Sequence, residues 1–210
     1  RNGIFYFSYG YYDFPITNKK DKYFYGDFES AKYFDNIKET LYKEFTPKYD
    51  RLDKNKEMYN IIENTNSICI SIRRGDFITD PEFSKKHLVC NSEYYYKVME
   101  EMNRHIDNPQ YVVFSDDIEW CKNNINFPEN TIYEDGTDPV WEKLRLMYSC
   151  KNFIISNSTF SWWSQYLSRN INKIVIAPDR WKNYSYKDDD TFDIYENNWI
   201  LISTGDDKDE

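Results

Sequence analysis

Arg73 and Arg74 stand side by side at the end of a short apolar run, with Gly75 and Asp76 directly after them. A guanidinium presents a fixed fork of N–H donors that matches two oxygens of a phosphate at once. Two in succession, next to a glycine that allows close backbone approach or positive φ, suit a small, multiply charged anion. The same arginines could also be solvated surface charges or partners of the many carboxylates. Arg74-Gly75-Asp76 further spells a tripeptide that adhesion ligands display on exposed loops. A second group is Ser115-Asp116-Asp117, whose carboxylates could accept from the N–H groups of a guanine or cap a helix, one role for each aspartate. A third is the hydroxyl cluster at 156–161, which includes Ser158, Thr159 and Ser161 around Phe160. A helix beginning near Ser161 would aim free backbone N–H groups and its positive dipole end at an anion, with ordinary capping by Thr159 or Ser161 as the plainer use.

These groups need elements that bring them to one place, and the pattern supplies strand tips. In the segment 66–77, Ile68, Ile70 and Ile72 alternate with Cys69 and Ser71, both small enough to be buried, which predicts a strand covered on both faces as in a parallel sheet. Ligands of such sheets sit beyond the C-terminal ends of the strands. Further strands are expected at 111–114, 131–133, 153–155, 174–176 and 199–202, so that Asp116, Asp117 and the 156–161 cluster also fall at strand ends. Between them, Asn91 or Ser92 caps a helix through Tyr95, Val98, Met99, Met102 and Ile106, and Asp138-Pro139 reads as N-cap and N1 of another. Upstream, Ser30 caps a helix with Phe34, Ile37, Leu41 and Phe45 on one face. A short helix is expected around 58–62, and 77–89 reads as a substrate-facing loop. Residues 1–28 are aromatic without a period, with a short strand at 4–7. They are expected to be a surface that packs on a neighbour, with a sugar-stacking platform as the alternative. The alternation from 66 onward predicts an α/β, doubly wound, Rossmann-like domain over 66–204, preceded by an aromatic-rich N-terminal appendage at 1–65 and followed by a disordered tail at 205–210.

Composition excludes several classes. A net charge of −9 disfavours nucleic acid, which demands a broad basic face rather than one arginine pair. The 4 cysteines are widely spaced and form no zinc set with the 2 histidines, so no metal site is expected and free thiols of a reducing cytoplasm are the simplest reading. No apolar run approaches the ~20 residues of a membrane helix. The chain is expected to be soluble and cytoplasmic.

In order along the chain, I-R-R-G-D-F at 72–77, F-S-D-D at 114–117 and N-S-T-F-S-W-W at 157–163 resemble the motifs of the α-1,2-fucosyltransferases, glycosyltransferase family 11. The likeness covers residues 25–181. It implies a GT-B architecture, two Rossmann-like domains facing across a cleft, with GDP-fucose as donor substrate held mainly by the C-terminal domain and no metal or other cofactor. It further implies that Arg73 and Arg74 bind the diphosphate, Asp116 the guanine, and Thr159 and Ser161 the phosphate side, with Ser71, Ser158 and Phe160 also among the residues that bind GDP-fucose. A histidine common in the family two residues before the arginine pair is here Ser71. A glycine-rich N-terminal segment common in the family has no counterpart, so the 210 residues are expected to be a donor-binding part or a member without turnover. The implied acceptor is a glycan or lipid-linked oligosaccharide, which would bring the protein to a membrane surface peripherally. Asp76 is the candidate to take the acceptor's proton, with Asp80 and Glu82 behind it, or it pairs with an arginine. Two rivals remain: a metal-dependent GT-A transferase holding its ion with Asp188 and Asp190, and a noncatalytic sugar- or nucleotide-binding module.

Overall fold

The computed structural model describes residues 3–6, 10–13, 21–26, 28–183 and 193–205. Asp188, Asp190 and the tail at 206–210 lie outside the described residues. Its centre is a six-stranded sheet of β3 (Asn66–Ile72), β4 (Pro109–Ser115), β5 (Ile132–Tyr133), β6 (Asn152–Ile154), β7 (Val175–Pro178) and β8 (Ile200–Ile202). The order is β5-β4-β3-β6-β7-β8 and every pairing is parallel. This is the doubly wound Rossmann order, in which the chain runs outward first on one side of the central strand and then on the other.

The period-2 alternation of β3 decides what covers the sheet. Cys69, paired with Val112 of β4 and Phe153 of β6, faces one core with those neighbours. That face is covered by α2 (Lys56–Asn64), α7 (Val140–Ser149) and α8 (Thr159–Tyr166) through Tyr59, Ile62, Leu146, Trp162 and Tyr166. Ile68, Ile70 and Ile72 face the other core, covered by α5 (Ser92–His105) and α6 (Ile118–Asn124) through Tyr94, Val98, Met102 and Cys121. Asn91 caps α5 by accepting from Tyr94 N at 2.9 Å, and Asp117 caps α6 by accepting from Trp120 N at 3.2 Å. The cysteines are free. Among the described residues, no helix is long and apolar enough to cross a membrane.

Several elements depart from the sequence expectation. The helix expected from Ser30 is broken into two 3₁₀ turns, Ala31–Tyr33 and Asp35–Ile37, before α1 (Lys38–Glu44). Phe34 leaves helical geometry between the turns and packs on Trp162, Trp163 and Tyr166. Burying that ring outweighs helix continuity, and the phase change leaves Ile37 and Phe45 exposed. Ser30 does cap the first turn, accepting from Lys32 N. The segment 31–64, grouped by sequence with the appendage, thus packs on the core of the sheet.

The expected loop at 77–89 is two short helices, α3 (Gly75–Thr79) and α4 (Pro81–His87). Asp80 accepts from Glu82 N and Phe83 N at 3.0 and 3.2 Å with Pro81 at the first helical position, a start signal that the proline concealed. For α7 the cap lies one residue later than expected, at Pro139, and Asp138 is instead buried against Lys54 and Asn55. In the N-terminal region, β1 (Gly3–Tyr6) and β2 (Lys22–Tyr25) pair in parallel, and the second strand was hidden by the lack of alternation. Their rings meet across the pair, Phe5 on Phe24 and Tyr6 near Tyr25.

Candidate functional site

The strand order reverses between β3 and β6, which opens a crevice beyond their C-terminal ends. A cavity of about 570 Å³ occupies it, lined by Ser71, Arg73 and Asp76 from the β3 tip and α3, and by Asp116 from the β4 tip. Ser158, Thr159 and Phe160 at the start of α8 line the facing side. The sheet thus brings together three motifs that are far apart in sequence, all of them at strand ends.

Arg73 is held in place by two carboxylates. Its Nη1 donates to Asp116 Oδ2 at 2.6 Å and its Nη2 to Asp76 Oδ1 at 2.8 Å. The remaining N–H groups of its fork are left for a ligand. Asp116 Oδ1 accepts from the backbone N–H of Arg74 at 2.8 Å, so both oxygens of Asp116 serve the β3 tip. Gly75 makes this approach possible, because a Cβ there would lie 2.6 Å from Asp116 Oδ2.

Arg74 has a different place. It is not among the cavity-lining residues. Its guanidinium lies 3.5 Å from the centroid of the Trp120 ring and its Nε donates to Asp117 Oδ2 at 3.1 Å. It braces the β3 tip against α6, and the signal for this was Trp120, three residues beyond the capping Asp117.

The hydroxyls divide as well. Ser161 is not at the helix start but inside it, buried, joined to Ser71 Oγ at 2.6 Å and to Ser156 Oγ at 3.1 Å. This chain of three hydroxyls stitches β3, the β6 exit and α8 together beneath the cavity. Helix α8 starts at Thr159, two residues earlier than expected, and Ser158 in the capping position makes no side-chain bond to it. Its first-turn N–H groups and positive dipole end therefore border the cavity without a cap.

The other side of the cavity comes from the segment 77–89, expected to face a substrate but as a loop rather than as helices. Phe77, Phe83 and His87 form an aromatic wall, their ring centroids 4.3 to 5.7 Å apart. Burial, with Lys182 and Lys86 adding to it, lowers the pKa of His87 from the usual 6.5 to about 4, so this ring is neutral near pH 7. Asn157 holds the wall, its Nδ2 donating to the backbone oxygens of His87 at 2.8 Å and Trp181 at 2.9 Å. Lys143, bound to the buried Glu134 at 3.0 Å, and Lys182 bring cationic groups to the lining. Among the described residues, the carboxylates close enough to share a metal are Glu134, Asp135 and Asp138, and Lys54 and Lys143 already sit on them.

The sheet order, with an arginine at its switch point and an uncapped helix start beside the same cavity, defines a Rossmann-like α/β domain with a crevice beyond its strand ends. The sequence pattern of Glycosyl transferase family 11 matches residues 9–203, and the chain belongs to that family. It is 35% identical over 184 residues to an Alpha-1,2-colitosyltransferase of Escherichia coli, covering 85% of this chain and 62% of that protein. It is 39% identical over 127 residues to the O-antigen biosynthesis glycosyltransferase WbnK of Escherichia coli, 58% of this chain and 41% of that one. The Homo sapiens Galactoside alpha-(1,2)-fucosyltransferase 1 is 30% identical over 104 residues, 48% of this chain and 28% of its own length. The chain therefore spans less than two thirds of each of these relatives. No solved structure matches it.

Proposed function

We propose that this chain is the donor-binding part of an inverting glycosyltransferase that moves L-fucose from GDP-fucose to a hydroxyl of a glycan, in α-1,2 linkage to galactose. The observation that carries this reading is Arg73, fixed by Asp76 and Asp116 at the switch point and facing the uncapped start of α8. The names of the relatives support the sugar and the linkage, and one of them puts colitose beside fucose as the sugar moved. The acceptor is a glycan or lipid-linked oligosaccharide, met at a membrane surface without insertion.

In this reaction the acceptor oxygen attacks the anomeric carbon on the face opposite the diphosphate, through an oxocarbenium-like transition state. The bond from that carbon to the diphosphate oxygen breaks, and GDP leaves with the electron pair. Charge grows on the departing diphosphate, where Arg73 and the first-turn N–H groups of α8 stabilise it without reorganising. Arg74 acts indirectly, since its backbone N–H fixes Asp116, which fixes Arg73. Asp116 meets the guanine N–H groups with its remaining lone pairs. The acceptor proton passes to Asp76, which lines the cavity and bonds Arg73 through Oδ1. No metal enters this scheme.

The test is turnover of GDP-fucose by the full-length protein with a galactoside acceptor, in excess EDTA. Undiminished transfer is expected. Complete loss, restored by manganese, would contradict the metal-free scheme, and failure to bind GDP-fucose would contradict the donor assignment.

A further inference from the structure

The aromatic wall is placed and built to do more than close the cavity. Phe77 lies one helical turn beyond Arg73, whose guanidinium carbon is 5.9 Å from the ring centroid. Whatever extends from an anion held by Arg73 toward α4 must therefore meet this ring. The nucleoside takes the other direction, because Asp116 lies on the β4 side of Arg73 and the wall on the α4 side.

The wall is also preformed. Asp80 and Pro81 fix the start of α4, and Asn157 fixes its end. The polar atoms of Asn157 are already used, Nδ2 on two carbonyls and Oδ1 on the Cys90 thiol at 3.6 Å, so it offers little to a ligand hydroxyl. His87 is uncharged at physiological pH and stacks on both phenylalanine rings, so the wall carries no charge.

We propose that Phe77, Phe83 and His87 form the subsite for the methyl-bearing face of the donor's 6-deoxysugar, and that they select such a sugar over its counterpart with a hydroxyl at C6. This rests on the donor reading above. A methyl group on the wall loses its contact with water favourably. A hydroxyl set against the Phe77 and Phe83 rings gives up its water without gaining a partner from them. Apolar pockets discriminate against an added hydroxyl only modestly, by up to ~10²-fold.

The experiment is calorimetric titration of the full-length protein and its Phe83→Ala variant with GDP, GDP-L-fucose and GDP-L-galactose, the last differing only by its C6 hydroxyl. Phe83 is 39% exposed, so its loss is tolerable to the fold. The native protein is expected to bind GDP-L-fucose ~10- to 100-fold more tightly than GDP-L-galactose, and Phe83→Ala to narrow that ratio several-fold. Saturation-transfer NMR on the native protein gives a reading without a variant: the C6 methyl protons of GDP-L-fucose should take up more saturation than the anomeric proton. Equal affinity for the two sugars, an unchanged ratio in folded Phe83→Ala, or a methyl signal no stronger than the anomeric one would overturn the proposal while GDP binding leaves the donor reading standing. Failure of GDP itself to bind would overturn both.

Discussion

Substituting Gly75 by alanine isolates the contact on which the crevice depends. The added Cβ would sit 2.6 Å from Asp116 Oδ2, where ordinary contact begins at 3.4 Å, and 3.5 Å from the guanidinium carbon of Arg73. The backbone at Gly75 is already helical, so alanine fits the local conformation and only the carboxylate must give way. Moving it back by most of an ångström breaks its 2.6 Å bond to Arg73 Nη1. A hydrogen bond between charged groups contributes about 1.5–3 kcal/mol, and alanine in place of glycine returns up to about 1 kcal/mol of helix propensity. The net stability loss is then about 0.5–2 kcal/mol, a fall in Tm of about 1–8 °C for a chain of this size. GDP affinity has no such offset, because Arg73 has lost one of its two anchors, and should fall ~10-fold, equivalent to about 1.4 kcal/mol. Calorimetry for GDP and a thermal melt read the two effects separately. A Gly75→Ala protein with native GDP affinity and native Tm would refute the coupling of Gly75, Asp116 and Arg73.

The two arginines should separate. Arg73→Ala should cost on the order of 10²-fold in turnover with little loss of Tm, and Arg73→Lys should recover only part because a point charge lacks the fork. Arg74→Ala should lower Tm first, through the lost contacts with Trp120 and Asp117, and equal effects of the two alanines on Tm would contradict the division. His87 sets a pH dependence. Its folded pKa of about 4 lies below the usual 6.5, so between those values the unfolded chain binds the proton and the folded one does not. Stability contributed by neutral His87 is therefore lost as pH falls from 6.5 toward 4. His87→Phe should flatten that part of the Tm profile, and a variant whose profile falls as steeply as the native one would contradict the buried, neutral ring.

Much of the frame was readable because burial on both faces leaves a strong mark. Ile68, Ile70 and Ile72 alternating with Cys69 and Ser71 specify a covered strand, and Arg73 and Asp116 are carried to its end and its neighbour's by chain continuity alone. What escaped was set by contacts between distant segments. Ser161 reads locally as a cap but is buried on Ser71 and Ser156, residues 90 and 5 positions away. Arg74 is indistinguishable from Arg73 in sequence, and the Trp120 ring and Asp117 carboxylate at the start of another strand's helix hold it away from the crevice. Phe34 breaks a helix that its own periodicity predicts, because three rings of α8 compete for it. The wall of Phe77, Phe83 and His87 was hidden by Pro81, a helix start taken for a loop.

In the proposed function, the switch-point crevice holds a guanosine diphosphate through Arg73. Its most direct test is calorimetric titration of GDP and ADP, in EDTA, into the native protein and the Arg73→Ala variant. The native protein is expected to bind GDP in preference to ADP, and the variant, folded as judged by its melt, to bind GDP ~10-fold or more weakly. Equal binding of the two nucleotides, or an Arg73→Ala variant with native GDP affinity, would contradict it.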